Sequence, residues 1–265
     1  MLKQRIITAL ILLPLMLGML FWAPNALWAL FSGLIALVAL WEYARMSGLS
    51  AEENHRYLGF TALFGVVAYL GGWVLPGMVW LGVLVFWLLV MPLWLNRKWA
   101  LHGGWKAYSM GWLLMVPFWF ALVTLRPDTG AATSLLAVMG LVWVADIFAY
   151  FSGKAFGKHK LAPSISPGKS WEGVFGGMLC VVVYMLLVWR AGWLAFDASW
   201  LGAVVTGLVL AAVSVCGDLL ESWLKRAAGV KDSSNLLPGH GGVFDRVDSL
   251  IAVLSVYAAM MALFA

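Results

Sequence analysis

The chain has 265 residues, 63% of them hydrophobic and 11% charged, with a mean hydropathy of +0.93. An ordinary soluble domain, with about a quarter of its residues charged, is excluded. The net charge of +5 and the 17 tryptophans fit a basic membrane face and interfacial aromatic belts, without nucleic acid as a partner.

Apolar runs long enough for about 30 Å of hydrocarbon fall at 6–22, 26–45, 57–75, 77–95, 108–125, 133–151, 174–190, 200–220 and 249–264. They predict an all-α polytopic integral membrane protein of about nine transmembrane helices. The third and fourth runs, joined by the short turn around Gly71 to Gly77, could instead form a re-entrant hairpin. Lys3 and Arg5 ahead of the first run resemble a secretory leader, but no small-x-small cleavage site follows, so the run is read as a span. The whole of 1–265 reads as one integral membrane domain. Residues 1–132 form a scaffold, and 133–265 a catalytic portion with cytoplasmic loops at 152–173 and 221–248.

With the N-terminus in the cytoplasm and the C-terminus on the opposite side, 15 of the 17 Lys and Arg residues fall inside and only Arg126 and Arg190 outside. That is a positive-inside distribution. In the first five runs Glu42 beside Arg45 reads as a helix-end pair. Residues 50–56 read as solvated loop, and His55 and His102 as exposed. Pro14, Pro92 and Pro117 are expected to kink or end helices. Cys180 and Cys216 lie in apolar runs without ligand spacing and read as small core residues.

Asp146 lies about a turn inside the sixth run, where a carboxylate is costly and is a functional candidate or a buried partner for Lys154. A long loop follows. Its Gly168-Lys169-Ser170 suggests a phosphate-binding P-loop, but that motif needs glycine where Pro163 stands, so it is rejected.

The densest polar stretch runs from Asp218 to Asp248 and holds nine charged residues. If the preceding helix continues to about Ala228, then Asp218, Ser222, Lys225 and Arg226 share one face. Residues 231–242 have turn composition, and His240-Gly241-Gly242 leaves backbone N–H groups open to an anion. Asp245 and Asp248, at i and i+3, can face one side. Carboxylates beside cations suit a hard metal ion carried with phosphates. A solvated loop that merely anchors two helix ends is the plainer alternative.

The order of residues favours the first reading. Ser222, Leu224, Lys225, Arg226, Lys231, Asp232, Ser234, Leu237, Pro238, His240, Gly241, Gly242, Val243, Asp245, Arg246, Val247 and Asp248 closely resemble the signature of the phosphatidate cytidylyltransferases. Asp146, Tyr150 and Gly153, followed by Ser166 to Gly173, resemble the same family. The resemblance implies an enzyme that joins CTP to phosphatidate, giving CDP-diacylglycerol and pyrophosphate, in the bacterial inner membrane with its site facing the cytoplasm. It implies Mg2+ on Asp218, Asp245 and Asp248, with room for a second cation such as K+ and for a homodimer. Asp218, Lys225 and Asp245 are the expected catalytic residues. Lys169, Ser222, Arg226, Lys231, His240, Gly241 and Gly242 would bind substrate. Asp146, Glu172 and Glu221 are weaker candidates. A CTP-dependent lipid kinase and a transporter are the competing readings.

Overall fold

The computed structural model describes residues 2–101 and 103–264, so His102 lies outside the described residues. In hydrocarbon every backbone N–H and C=O must be satisfied within its own segment, and the chain answers with long helices. These are α1 (Leu2–Trp22), α2 (Asn25–Met46), α3 (Ala51–Leu70), α4 (Gly77–Arg97), α5 (Gly104–Thr124), α6 (Ala132–Phe156), α7 (Trp171–Arg190), α8 (Trp200–Ala227) and α9 (Phe244–Phe264). Each apolar run falls on one of them. Among the described residues, seven helices, all but α1 and α3, are long and apolar enough to cross a membrane.

Several ends are capped by side chains. Ser170 Oγ accepts from Gly173 N at 3.2 Å and Ser199 Oγ from Gly202 N at 3.1 Å. Ser50 and Glu53 form a reciprocal capping box that starts α3 at Ala51. The expected loop at 50–56 is therefore mostly the first turns of a helix, with His55 exposed and Asn54 buried against the Trp41 carbonyl. Pro14 and Pro117 sit inside α1 and α5. Pro92 follows one wide turn at Phe86–Val90 within α4, which accommodates a ring that can donate no hydrogen bond to the preceding turn.

Among the described residues the one pair of strands lies between α6 and α7, and a single antiparallel bridge joins Leu237 to Gly241. Strand β1 (Lys160–Ala162) pairs antiparallel with β2 (Ser166–Ser170). Of the loop expected at 152–173, residues 152–156 belong to α6, 171–173 begin α7, and the hairpin lies between them.

Helix α9 is the centre of the bundle. Every residue from Ser249 to Ala259 is buried, and the helix packs against α2, α4, α5, α6 and α8. An element apolar all round belongs inside. It crosses α8 closely at Gly217, where an added Cβ would meet the Asp248 carbonyl at 2.8 Å. Ser249 Oγ also donates to the Ser214 carbonyl at 3.1 Å. This crossing sets Asp218 of α8 beside Asp248 of α9.

In the first part of the chain, α2 is tied to α5. Trp28 Nε1 donates to the Leu122 carbonyl at 2.8 Å and Tyr43 Oη to the Ala107 carbonyl at 2.9 Å. At the end of the bundle remote from Asp218, Arg126 is buried. Its guanidinium donates to the Leu20 carbonyl (2.9 Å), the Ala23 carbonyl (2.6 Å) and Asn25 Oδ1 (3.3 Å) and lies over Trp28. It closes the turn between α1 and α2.

Candidate active site

The ends of α6 and α8, the starts of α7 and α9, and the hairpin enclose a cavity of about 630 Å³. Its inner wall is apolar, from Ala145, Val174, Met178, Ala211 and Val215. Its other walls carry Asp146, Tyr150, Lys154, Lys169, Asp218, Glu221, Ser222, Lys225, Asp232, Asp245, Arg246 and Asp248. An apolar floor under a charged mouth is the shape an amphiphile needs.

The helical spacing from Asp218 onward works as expected. Asp218 Oδ1 accepts from Ser222 Oγ at 3.3 Å, while Oδ2 meets Lys169 Nζ of the hairpin at 2.5 Å. One turn on, Lys225 Nζ lies 2.6 Å from Glu221 Oε2 and 2.7 Å from Asp245 Oδ1. Three carboxylates, Asp218, Glu221 and Asp248, each offer an oxygen within 4.8 Å of the other two. Glu221 is 2% exposed, and its Oε1 is buried with no hydrogen-bond partner. A buried carboxylate oxygen without a donor is costly. The donor set, all oxygens and all acidic, fits a hard divalent cation.

Asp245 is differently engaged. Its Oδ1 takes Lys225, and its Oδ2 accepts from Ser233 N, Ser233 Oγ and Gly242 N, each at 2.8 Å. Behind it stands Glu42 of α2, fully buried. Glu42 Oε1 accepts from Val243 N (3.0 Å) and the Ser234 hydroxyl, and Oε2 from Phe244 N (2.6 Å) and Ser233 Oγ (3.1 Å). The expected Glu42–Arg45 pair gives way to this arrangement, and Arg45 stacks over Trp41 at 4.7 Å. The carboxylate turns inward because the first N–H groups of α9 need an acceptor there.

The remaining candidates are dispersed. Glu172 faces the hairpin, where Oε1 lies 2.6 Å from His159 Nδ1. Arg226 Nε donates to the Ile165 carbonyl at 3.4 Å, steadying the hairpin turn. Lys231 is exposed, and His240 is half-buried with its N–H on the Leu237 carbonyl at 2.8 Å. Gly241 holds a left-handed φ of 81°, which favours glycine. Gly242 lies between Ser233 and Glu42, with no room for a Cβ. Arg226, Lys231, His240, Gly241 and Gly242 lie off the cavity lining given by the described residues.

The sequence reading did not select Lys154, Arg246, Ser233 or Glu42 for the site. The first two were within reach, because Lys154 follows Gly153 and Arg246 lies between Asp245 and Val247 in stretches already singled out. Nothing local marks Glu42.

Converging carboxylates, fixed ammonium groups and an apolar floor at one end of a helix bundle define a membrane-embedded site suited to phosphate chemistry on an amphiphile. The model of the cytidylyltransferase family matches residues 3–264. A phosphatidate cytidylyltransferase of Pseudomonas aeruginosa is 47% identical over 98% of this chain and 97% of its own length. One of Haemophilus influenzae is 35% identical over 97% of this chain and 98% of the relative, and one of Brucella abortus 37% over 100% and 94%. The chain belongs to the cytidylyltransferase family and is a membrane nucleotidyltransferase.

Proposed function

We propose that the protein joins CTP to phosphatidate, forming CDP-diacylglycerol and pyrophosphate, at the cytoplasmic face of a bacterial inner membrane. Nine crossings, with α1 and α3 included, and a cytoplasmic N-terminus put the cavity mouth on the nucleotide's side, in keeping with the distribution of Lys and Arg. The observation that carries the reading is the convergence of Asp218, Glu221 and Asp248 on one point beside Lys169 and Lys225, over an apolar floor. The relatives that cover nearly the whole chain are named for the same reaction.

A phosphate oxygen of the lipid attacks the α-phosphorus of CTP, and the bond to the β-phosphate breaks in line with it, so the protein must orient two anions and balance their charge. Asp218, Glu221 and Asp248 are the residues that would hold Mg2+, and Glu221 Oε1 supplies the open donor. Bound there, Mg2+ would draw charge from the phosphoryl oxygens. Lys154, Lys169 and Arg246 face the cavity and bind the phosphates. Lys225, fixed between Glu221 and Asp245, presents a positive charge that cannot swing away. Asp245 holds that lysine and closes the loop, rather than adding a metal oxygen. Acyl chains lie along the apolar wall.

The test is transfer from CTP labelled separately at the α- and γ-phosphates to phosphatidate in mixed micelles. Lipid that gains the α label, with release of pyrophosphate, supports the reading. Lipid that gains only the γ label means a kinase, and absence of any Mg2+-dependent labelling restores a binding or transport role.

A further inference from the structure

Every hydrogen bond that the Glu42 carboxylate makes goes to the segment that leads into the site. Phe244, at the start of α9, is 202 positions away in sequence. Helix N-termini expose N–H groups that lack a partner within the helix, and a carboxylate there is favoured by the bonds and by the dipole. Such a cap normally comes from the residue just before the helix. Here it comes from α2, which is itself tied to α5 through Tyr43 and set against α9 by the ring contact of Tyr43 with Phe244. The Ser233 hydroxyl lies between Glu42 and Asp245, within reach of both. Two carboxylates thus grip the loop from opposite sides, one local and one from the scaffold.

We propose that Glu42 is a positioning residue for the transfer reaction. It holds the start of α9 and the loop serines so that Asp245 can fix Lys225, and so that Asp248, one turn further, stays in register with Asp218 and Glu221. The proposal rests on the reading of that cavity as the transfer site. Shape alone does not explain the choice of residue. Glutamine fills the same volume, but its amide N–H groups would face the donors that a carboxylate accepts from.

The variants are Glu42→Gln and Ser234→Ala, each purified in detergent. The readouts are kcat and KM for CTP, thermal unfolding, and amide exchange across 231–245. For Glu42→Gln we expect kcat to fall about 30-fold while KM for CTP moves less than about threefold. Amides of Gly242 to Phe244 should exchange about tenfold faster, while those in the middle of α8 keep their protection. Ser234→Ala should lower kcat about fivefold and the thermal midpoint by no more than about 5 °C. A Glu42→Gln enzyme with kcat within about twofold of wild type overturns the proposal. So does a loss that comes with faster exchange throughout α4, α5 and α8, since that is general destabilisation. If Glu42→Gln does not accumulate, Ser234→Ala decides, and wild-type kcat with unchanged exchange at 242–244 sinks the idea. Wild-type protein that transfers no α label refutes the reaction assigned to the cavity. The exchange measurement then decides alone whether Glu42 holds the loop, and unchanged exchange overturns it.

Discussion

Two sets of carboxylates stand where the ends of α2, α8 and α9 meet. Glu42 and Asp245 have both oxygens engaged by backbone N–H groups, hydroxyls and one lysine. Asp218, Glu221 and Asp248 point at one another across less than 4.8 Å, and one of their oxygens has no donor at all. The first set uses its charge to fix backbone. The second sets three acidic groups against two ammonium groups, Lys169 and Lys225, with one buried oxygen still open, and so leaves a place for further positive charge. Residue type does not separate structural from chemical carboxylates here. What separates them is the number of donors each oxygen already has.

That contrast can be broken most severely at the open set. Asp248→Asn should cut α-label transfer roughly a thousandfold per folded molecule and raise the Mg2+ concentration for half-maximal rate more than about tenfold. Turnover within about threefold of wild type would remove Asp248 from the site. Asp245→Asn sharpens the comparison. Turnover should drop about 50-fold through the freed Lys225 and the loosened loop, yet the Mg2+ requirement should stay within about threefold. A tenfold or larger rise in that requirement would instead move Asp245 into the metal set. Gly242→Ala places a methyl against Ser233 and Glu42. It should cost about 1 to 3 kcal/mol in stability and roughly tenfold in rate; a fully active, equally stable variant would mean the loop has slack. The smallest effect on rate belongs to the far end. Arg126→Ala should lower the thermal midpoint by about 5 °C or more, because three acceptors lose their donor, while turnover per folded molecule is unchanged.

Much of this was visible in the sequence for a simple reason. In a chain that is 11% charged, polar stretches at 166–173 and 218–248 stand out against apolar helices, and the spacing of Asp218, Ser222 and Lys225 places them on one face. Spacing alone could not rank Glu221 against Asp245, because the order proposed above turns on which oxygens the 231–243 loop fills. The start of α3 was readable, since Ser50 and Glu53 have the spacing of a capping box. Glu42 was not. One carboxylate three residues from an arginine looks like a helix-end pair, and its real partners lie beyond α8. The hairpin at 160–170 was hidden in turn-rich composition, where short strands leave no periodic signal.

The sequence separation of Glu42 from its partners also has a consequence for biosynthesis. Ser233 is 191 positions downstream of Glu42, so at about 5 to 20 residues per second the ribosome needs roughly 10 to 40 s to make the loop that will receive the carboxylate. Through that interval the acidic group near one end of α2 lacks the partners it has in the folded chain. The full set of bonds to Glu42 therefore waits on the segment that leads into α9. A chain that stops before residue 233 would leave the Glu42 carboxylate without any of these four partners.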